Sequence, residues 1–519
     1  MEASQTQFKS SGGAFATAFS EGVVVVSILA GISATAVTWC LRYGYVLYHG
    51  DALAHLNIAR RIIDSRTPGW EQIGTVWLPL PHLLMLPFVG NDYLWQSGLA
   101  GALPAALCYL LSGLFLYGAV RMAFDSRAAG VAAAGAYALN PNLLYVQSTP
   151  MTEPLSFAAL TGLLFGLVKL HRTLHWRWAL FAALAALAGT LARYEGWFLV
   201  PCGAMGVWMI CRRPGPVVLF CSVAALGPLF WLGHNWWYYG DFFEFYRGPY
   251  SARAIYQRAL DAGGFRYPGD HQWVESFHYF GAATALCAGP VLSGLGIAGC
   301  LAAVWKKRWA LVAFLAMPPL FYLMSIYSSG TPIFVPILFP HSYYNTRYGL
   351  AALPLLAAGA GALVSLFRAN WRAWAAAAVV AAAVMPWILK PDPGTWVCWK
   401  EAEVNSAARR AWTQEAAAFL KAKWRPGDGA LASFGDLTGI FTEARIPLRQ
   451  LLHEGNGPHW FGATQRPDLV LWEEWVVTME GDAAAHAVER AAHSGPKYNR
   501  VKRIAVASAP VIVIYRRGT

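Results

Sequence analysis

Long apolar runs recur over the first 390 residues of this 519-residue chain and constrain its fold more than any other feature. A helix that spans a membrane needs about 20 apolar residues. Only 13% of the residues are charged, against roughly 25% in a typical soluble chain. The pattern predicts a polytopic α-helical membrane protein. We place about eleven spans, near residues 22–41, 94–120, 128–144, 154–170, 178–192, 197–211, 217–238, 281–304, 309–327, 348–367 and 373–389.

The net charge of +12 raises the question of nucleic-acid binding, but its distribution indicates membrane topology instead. Within the first 390 residues, acids occur mostly in two long loops on one side, residues 42–93 and 239–280. With the basic loops inside, an odd number of spans puts the N-terminus in the cytoplasm and the C-terminus outside. The absence of Asn-x-Ser/Thr acceptors and the Ala-rich composition favour a bacterial inner membrane. Basic residues concentrate in short loops on the opposite side, the positive-inside pattern, and include Lys9, Arg121, Arg127, Lys306 and Arg308.

The composition changes after Lys390. Residues 391–519 contain 16 Lys/Arg and 14 Asp/Glu and no long apolar run. The stretches "DGALASFG", "PDLVLWEE" and "PVIVIYRR" predict strands, and "RRAWTQEAAAFLKAKW" predicts a helix. The sequence therefore predicts a membrane domain over residues 1–390 and a soluble extracytoplasmic α/β domain over residues 391–519.

Asp51 opens an amphipathic helix, "GDALAHLNIARRIID", where the chain leaves the first span. Its carboxylate could cap the helix or act as a general base. His55 follows four residues later and shares its side of the helix. The helix is predicted to lie on the membrane surface, because one face is apolar and the other carries Asn57, Arg60, Arg61 and Asp64.

Glu153 lies in a very short outer turn, "YVQSTPMTEPLSF". An acid in the first turn of a helix is favoured by the helix dipole, which is the plain explanation. A second acid at the same depth as Asp51 nevertheless suggests a pair. Paired carboxylates can divide acid–base work or hold a divalent cation such as Mg²⁺ or Mn²⁺.

Arg193 and Glu195 interrupt an apolar stretch, "TLARYEGWFLVP". Ionisable residues are costly in a membrane and are often functional. The alternative is a hairpin tip at the outer interface, with aromatic residues of the interfacial belt beside it.

Arg347 lies at the outer end of a late span, between Tyr344 and Tyr348 in "PHSYYNTRYGLAALP". The planar fork of an arginine suits phosphate oxygens, although a snorkelling arginine among belt aromatics would look the same. Arg253 and Arg258 bring further positive charge to the outer side. They could receive an anionic head group or form a solvated helix face.

The order of these motifs resembles the GT-C glycosyltransferases, in particular protein O-mannosyltransferases, lipid A aminoarabinose transferases and mycobacterial arabinofuranosyltransferases. The resemblance covers roughly residues 20–370. Two departures stand out: Gly50 precedes Asp51 where many members have paired acids, and "ARYEG" replaces a lysine-containing motif. The resemblance rests on "GDALAHLNIARRI", "TVWLPLPHLLMLP", "STPMTEPLSF", "ARYEGWFLVP" and "RYGLAALPLL" in this order.

The resemblance implies a membrane glycosyltransferase that moves a sugar from a polyprenyl-phosphate donor to a hydroxyl of a protein, lipid or glycan on the outer face. A single displacement predicts inversion at the anomeric carbon. Asp51 then corresponds to the general base or to a carboxylate that orients the acceptor, Glu153 to the second acid and Arg347 to a phosphate ligand. The further candidates are Arg253, Arg258 and Tyr348 for the donor, and His55, Arg193, Glu195 and Tyr344 for the substrate.

Two other classes of protein compete with this reading. A transporter of a lipid-linked anion would carry charges near mid-span and inverted hydropathy repeats, and the sequence has neither. A non-catalytic assembly or sensor protein, whose outer domain binds a partner, would tolerate the loss of Asp51 and Glu153.

Overall fold

The computed structural model describes residues 2–518, with side chains from Ser20 onward, so Lys9 lies outside the described side chains. The first half of the chain is almost entirely helical. Its helices are α1 (Glu2–Arg42), α2 (Gly50–Arg61), α3 (Leu80–Val89), α4 (Asp92–Ser97), α5 (Leu99–Ala123), α6 (Arg127–Ala138), α7 (Pro141–Gln147), α8 (Glu153–Thr173), α9 (Trp176–Ala192), α10 (Glu195–Cys211), α11 (Pro214–Ala224) and α12 (Leu226–Tyr239).

The second half continues with helices and ends in a small sheet. The helices are α13 (Glu244–Arg247), α14 (Ala252–Asp261), α15 (Trp273–Ala288), α16 (Pro290–Trp305), α17 (Trp309–Leu315), α18 (Met317–Tyr327), α19 (Leu353–Val364), α20 (Arg372–Leu389), α21 (Val397–Lys423), α22 (Thr438–Ala444), α23 (Pro458–Gln465), α24 (Pro467–Val470) and α25 (Ala483–Ser494). The strands are β1 (Ala430–Ala432), β2 (Leu451–Leu452), β3 (Trp475–Met479), β4 (Tyr498–Ile504) and β5 (Ile512–Arg517).

The prediction of a polytopic helical protein is confirmed, with fewer full-length spans than the eleven placed from the sequence. In the described part of the chain, seven helical segments are long and apolar enough to cross a membrane, or eight if α15 and α16, bent by 109°, count as one span. The predicted segment 128–144 is divided between α6 and α7, because Pro141 starts a new helix. Segments 178–192 and 197–211 correspond to α9 and α10, helices of 17 residues each.

Small residues let the membrane helices approach closely. A Cβ atom added to Gly299 of α16 would lie 1.8 Å from the carbonyl oxygen of Gly359 in α19, and one added to Gly359 would lie 2.2 Å from the oxygen of Gly296. The two backbones therefore touch directly, as is common where small residues line helix contacts in membranes. This contact fixes α19, which directly follows the segment carrying Arg347.

The C-terminal sheet has five strands in the order β2-β1-β3-β5-β4. Strand β1 runs parallel to β2 and β3, and β5 runs antiparallel to β3 and β4. The predicted α/β composition of this region is confirmed, but "PDLVLWEE" is not a strand. Pro467 instead begins the short helix α24, and the strand starts at Trp475.

Helix α2 is buried in protein, which corrects the prediction of a helix lying on the membrane surface. Residues 55–61 are all buried. The Asn57 side-chain oxygen accepts a hydrogen bond from the Trp95 indole at 3.0 Å. Asp64, just beyond the helix, accepts one from Arg449 of the C-terminal region at 2.9 Å. The polar face is therefore covered, because distant parts of the chain supply its partners.

Candidate active site

Three candidate residues from widely separated motifs meet in one charged cluster. Asp51 comes from α2, Glu153 from α8, and Arg347 from a 3₁₀-helix that precedes α19. Arg347 donates a hydrogen bond through Nη2 to the Asp51 carboxylate. Its Nε donates to Glu153 Oε1 at 3.1 Å. The two acids are therefore joined by an arginine that lies between them.

The Asp51 carboxylate faces Arg347 and does not cap its own helix. The N-cap of α2 is His49, and its side chain forms no capping hydrogen bond. The Asp51 side chain is 41% exposed, so a reactant can approach it. Burial would raise the pKa of Asp51, but the Arg347 guanidinium outweighs this and holds the pKa below its ordinary value.

Glu153 is the first residue of α8 and is 4% exposed. Its Oε1 also accepts a hydrogen bond from Arg193 Nη1 at 3.3 Å. Its Oε2 has no hydrogen-bond partner among the described residues. Buried carboxylates need compensating charge, and Glu153 obtains it from Arg193 together with Arg347.

Arg193 and Glu195 belong to the same cluster. Arg193 lies between α9 and α10, and its Nε donates to Glu195 Oε1 at 2.6 Å. Its Nη1 donates to Thr152 Oγ1 at 2.7 Å and its Nη2 to the Tyr322 hydroxyl at 2.6 Å. The "ARYEG" stretch thus supplies a second arginine behind Arg347, and each of its guanidinium nitrogens already donates a hydrogen bond.

The two candidate tyrosines differ in their surroundings. The Tyr348 ring lies 4.9 Å from Cζ of Arg347 and 5.2 Å from Cζ of Arg193, so it packs against both cations. The Tyr344 side chain is half-exposed, and its main chain pairs with that of Phe334. Of the two, Tyr348 is the one whose ring packs against both arginines.

His55 is buried one helical turn after Asp51. Its Nδ1 lies 3.0 Å from Nε2 of His82, and its ring packs 4.4 Å from that of Trp77. Burial lowers the pKa of His55 to about 4 and that of His49 to about 3. Both histidines are therefore neutral at pH 7 and can donate or accept hydrogen bonds without adding charge.

Arg253 and Arg258 lie on α14. Helix α14 has no buried residue. Arg253 donates to the hydroxyl of Tyr246 at 3.0 Å. Neither arginine forms a hydrogen bond or ion pair with the cluster among the described residues. The solvated helix face is the simpler description of α14.

The acid pair does not fit a divalent cation in this arrangement. The Arg347 guanidinium lies between Asp51 and Glu153 and binds an oxygen of each. A metal ion at this position would face a fixed positive charge. Among the described residues, no group of three or more His, Cys, Asp or Glu side chains is arranged to hold a metal ion.

Comparison with known proteins places this geometry in context. Residues 94–232 match the family model described as dolichyl-phosphate-mannose-protein mannosyltransferase. The matched range includes α8, which bears Glu153, and the junction that bears Arg193. No curated protein sequence matches the chain.

Two solved structures of ArnT from Cupriavidus metallidurans have the same fold. The one bound to undecaprenyl phosphate shares 14% identity, with a TM-score of 0.53, and the alignment covers 93% of this chain and 97% of that one. The apo structure shares 15% identity, with a TM-score of 0.50 and coverage of 96% and 98%. The likeness shows that this chain has the fold of ArnT. The predicted fold is confirmed.

One residue of the charged cluster was missed in the sequence. Glu401 of α21 is 1% exposed. Its Oε2 accepts a hydrogen bond from the Arg347 backbone N–H at 3.1 Å, and its Oε1 lies 3.5 Å from Arg347 Nη1. Burial raises the pKa of Glu401 above its ordinary value despite the arginine. No local pattern separates Glu401 from Glu403 in the same charged helix.

The arrangement offers two chemical functions side by side. Asp51 is the most accessible of the carboxylates that Arg347 contacts and can accept a proton. Arg347, backed by Arg193, can neutralise an anion that develops next to it.

Proposed function

We propose that this chain is a membrane glycosyltransferase of the GT-C type, which transfers a sugar from a polyprenyl-phosphate donor to an acceptor hydroxyl, with inversion at the anomeric carbon. The observation that carries the proposal is the contact between the half-exposed Asp51 carboxylate and the buried Arg347 guanidinium. A base that can deprotonate the acceptor therefore lies next to a cation that can neutralise the leaving phosphate.

A lipid phosphate is the donor that the comparisons favour. ArnT was solved with undecaprenyl phosphate, and the family model that matches residues 94–232 is described by a dolichyl-phosphate-linked mannose. Both compounds carry a polyprenyl chain on a phosphate. Seven helical segments among the described residues are long and apolar enough to cross a membrane, so a lipid in the same membrane can approach the cluster.

The reaction needs one proton transfer and one displacement. The acceptor oxygen attacks the anomeric carbon while its proton passes to Asp51. The bond between that carbon and the phosphate oxygen breaks, and its electron pair leaves with polyprenyl phosphate. Arg347 stabilises the phosphate through charge-assisted hydrogen bonds, and the positive charge of Arg193 behind it adds to the stabilisation. Because only one displacement occurs, the configuration inverts.

The resting contact between Arg347 and Asp51 implies an exchange of partners when the donor binds. The donor phosphate competes with Asp51 for the terminal nitrogens of Arg347, while Glu153 keeps Nε. Asp51 then loses the cation that lowers its pKa, so its pKa rises and it becomes a stronger base. The base is thus fully active only when a donor is present.

The site is proposed to face the extracytoplasmic side of a bacterial inner membrane, with the N-terminus in the cytoplasm. Glu21, near the opposite end of the first span from Asp51, pairs with Arg121 at 2.9 Å and Arg127 at 2.5 Å. The basic loops therefore lie at the far ends of the spans, as the positive-inside pattern requires. We propose residues 1–390 as the membrane domain and 391–519 as an outer domain, with α21 joining them.

The test is sugar transfer by purified protein in lipid vesicles. The donors are a panel of labelled polyprenyl-phosphate sugars, and membrane extract supplies the acceptor. Asp51→Asn should lose at least about 100-fold in kcat, as expected when a general base is removed. Asp92→Asn is the matched control, because the Asp92 side chain is 70% exposed and pairs with Arg60. Full transfer by Asp51→Asn contradicts the base role, and no transfer from any donor by folded wild type contradicts the function.

A further inference from the structure

One face of α21 touches both segments that carry the charged cluster. Glu401, Asn405 and Arg409 are spaced four residues apart and so share a face of the helix; we call them the α21 stripe. Asn405 Nδ2 donates to the Tyr343 carbonyl at 2.9 Å. Arg409 Nη2 donates to the Tyr48 carbonyl at 2.5 Å. The stripe therefore holds the chain just before Arg347 and just before Asp51.

Glu401 acts on the cluster through Arg347. It is 1% exposed, and a buried carboxylate is retained only where partners compensate for its lost hydration. Its polar contacts include the backbone N–H and guanidinium of Arg347 and the backbone of the neighbouring Asn345. It forms no direct hydrogen bond with Asp51 or Glu153 among the described residues.

The Arg347 backbone needs this support. Arg347 lies in the first turn of the 3₁₀-helix Thr346–Ala352, whose N-cap residue Asn345 has a left-handed φ of 53°. The first N–H groups of a helix have no partner within that helix. Glu401 supplies the acceptor for one of them from a different helix. One carboxylate thus fixes both the main chain and the side chain of Arg347.

The stripe also connects the cluster to the C-terminal sheet. Arg409 Nη1 lies 3.6 Å from Asp436, which follows β1. Trp412, one turn after Arg409, packs in the core formed with the sheet strands. Next to Asp51, a Cβ atom on Gly50 would lie 2.6 Å from Arg409 Nη1, so the missing side chain leaves room for that guanidinium.

We propose that Glu401 is a positioning residue for donor binding. It holds Arg347 where the donor phosphate binds, and the C-terminal region thereby takes part in catalysis through α21. The inference rests on the proposed function, because it takes Arg347 as the phosphate ligand.

Backbone amide hydrogen exchange over residues 343–349 tests the positioning without requiring turnover. The variants are Glu401→Ala and the isosteric Glu401→Gln. Glu403→Gln is the matched control, since Glu403 lies on the same helix and pairs with Lys400 at 2.8 Å. Losing a hydrogen bond to a charged group should speed exchange in Glu401→Ala about tenfold. Unchanged exchange in both Glu401 variants overturns the proposal.

Steady-state kinetics then test the link to the donor. The KM for the polyprenyl-phosphate sugar that wild type uses should rise about tenfold in Glu401→Ala. It should rise less in Glu401→Gln, because glutamine keeps an oxygen for the Arg347 N–H. Faster exchange with an unchanged donor KM overturns the donor role and leaves a purely structural one. Wild type that uses no polyprenyl-phosphate sugar refutes the proposed function and the donor role together, whereas exchange still decides whether Glu401 holds Arg347.

Discussion

Replacement of Arg347 by glutamine should destabilise the protein by an amount that depends on pH. Arg347 contacts three carboxylates: Glu153 and Glu401, whose side chains are 5% and 2% exposed, and Asp51, at 41%. Removing one partner of a buried ion pair costs about 3–5 kcal/mol. The more exposed Asp51 pair adds less than about 1 kcal/mol. Near pH 7, Arg347→Gln should therefore lose about 3–5 kcal/mol of unfolding free energy.

The pH dependence follows from Glu401. Burial already raises its pKa, and Arg347 partly offsets that rise. In Arg347→Gln the offset is lost, so the pKa of Glu401 in the folded state rises further above its unfolded value. A carboxyl group whose pKa is higher in the folded state than in the unfolded state lowers the free energy of unfolding, in full once the pH exceeds the folded-state pKa. This penalty vanishes as the pH falls to the unfolded-state pKa. The difference between variant and wild type should shrink on going from neutral to acidic solution.

Denaturant unfolding in detergent micelles, followed by the fluorescence of the chain's 24 tryptophans, measures this difference. Arg247→Gln is the control, because Arg247 is 65% exposed and lies 3.8 Å from Asp241. A surface change of this kind should stay within about 0.5 kcal/mol. A loss below about 1 kcal/mol in Arg347→Gln, or an equal loss in neutral and acidic solution, would refute the reasoning, since buried pairs should cost several times more.

The remaining predictions concern metal ions and pH. Sugar transfer should survive treatment with a chelator, because Arg347 occupies the place between Asp51 and Glu153 that a divalent cation would need. If the chelator abolishes transfer and added Mg²⁺ or Mn²⁺ restores it, the acids rearrange around a metal ion. The pKa of Asp51 lies below its ordinary value, and those of His49 and His55 lie at about 3 and about 4. Hence kcat/KM should stay level from neutral pH down to about pH 5, and a step near the ordinary histidine pKa would contradict the neutral state of both histidines.

Several residues of the cluster can be recognised from the sequence by their immediate neighbours alone. Asp51, Glu153 and Arg193 each interrupt or end an apolar run, where a charge is costly enough to need an explanation. Their order along the chain also carried the resemblance to GT-C enzymes. The sequence suggested a pair of acids, but not that Arg347 would join them, nor that Tyr348 would pack against two cations.

Other features had no local signal. The polar face of α2 reads as a solvated surface, yet the C-terminal region covers it, for example where Arg449 binds Asp64. Glu401 lies in an ordinary charged helix. Only the packing of that helix against the 3₁₀-helix makes Glu401, and not Glu403, a partner of Arg347. Residues 467–470 have the composition of a strand, but Pro467 begins a helix there.

The sequence by itself determined that the chain is a helical membrane protein with a small α/β region at its end. That outcome follows from local composition, because the free energy of placing a residue in a membrane depends mainly on the residue itself. Tertiary structure alone decided which charges compensate one another. Asp51 and Arg347 are 296 residues apart, and a buried ion pair is stable only when both partners arrive with their hydrogen bonds satisfied. The packing of α2, α8, α19 and α21 brings them together.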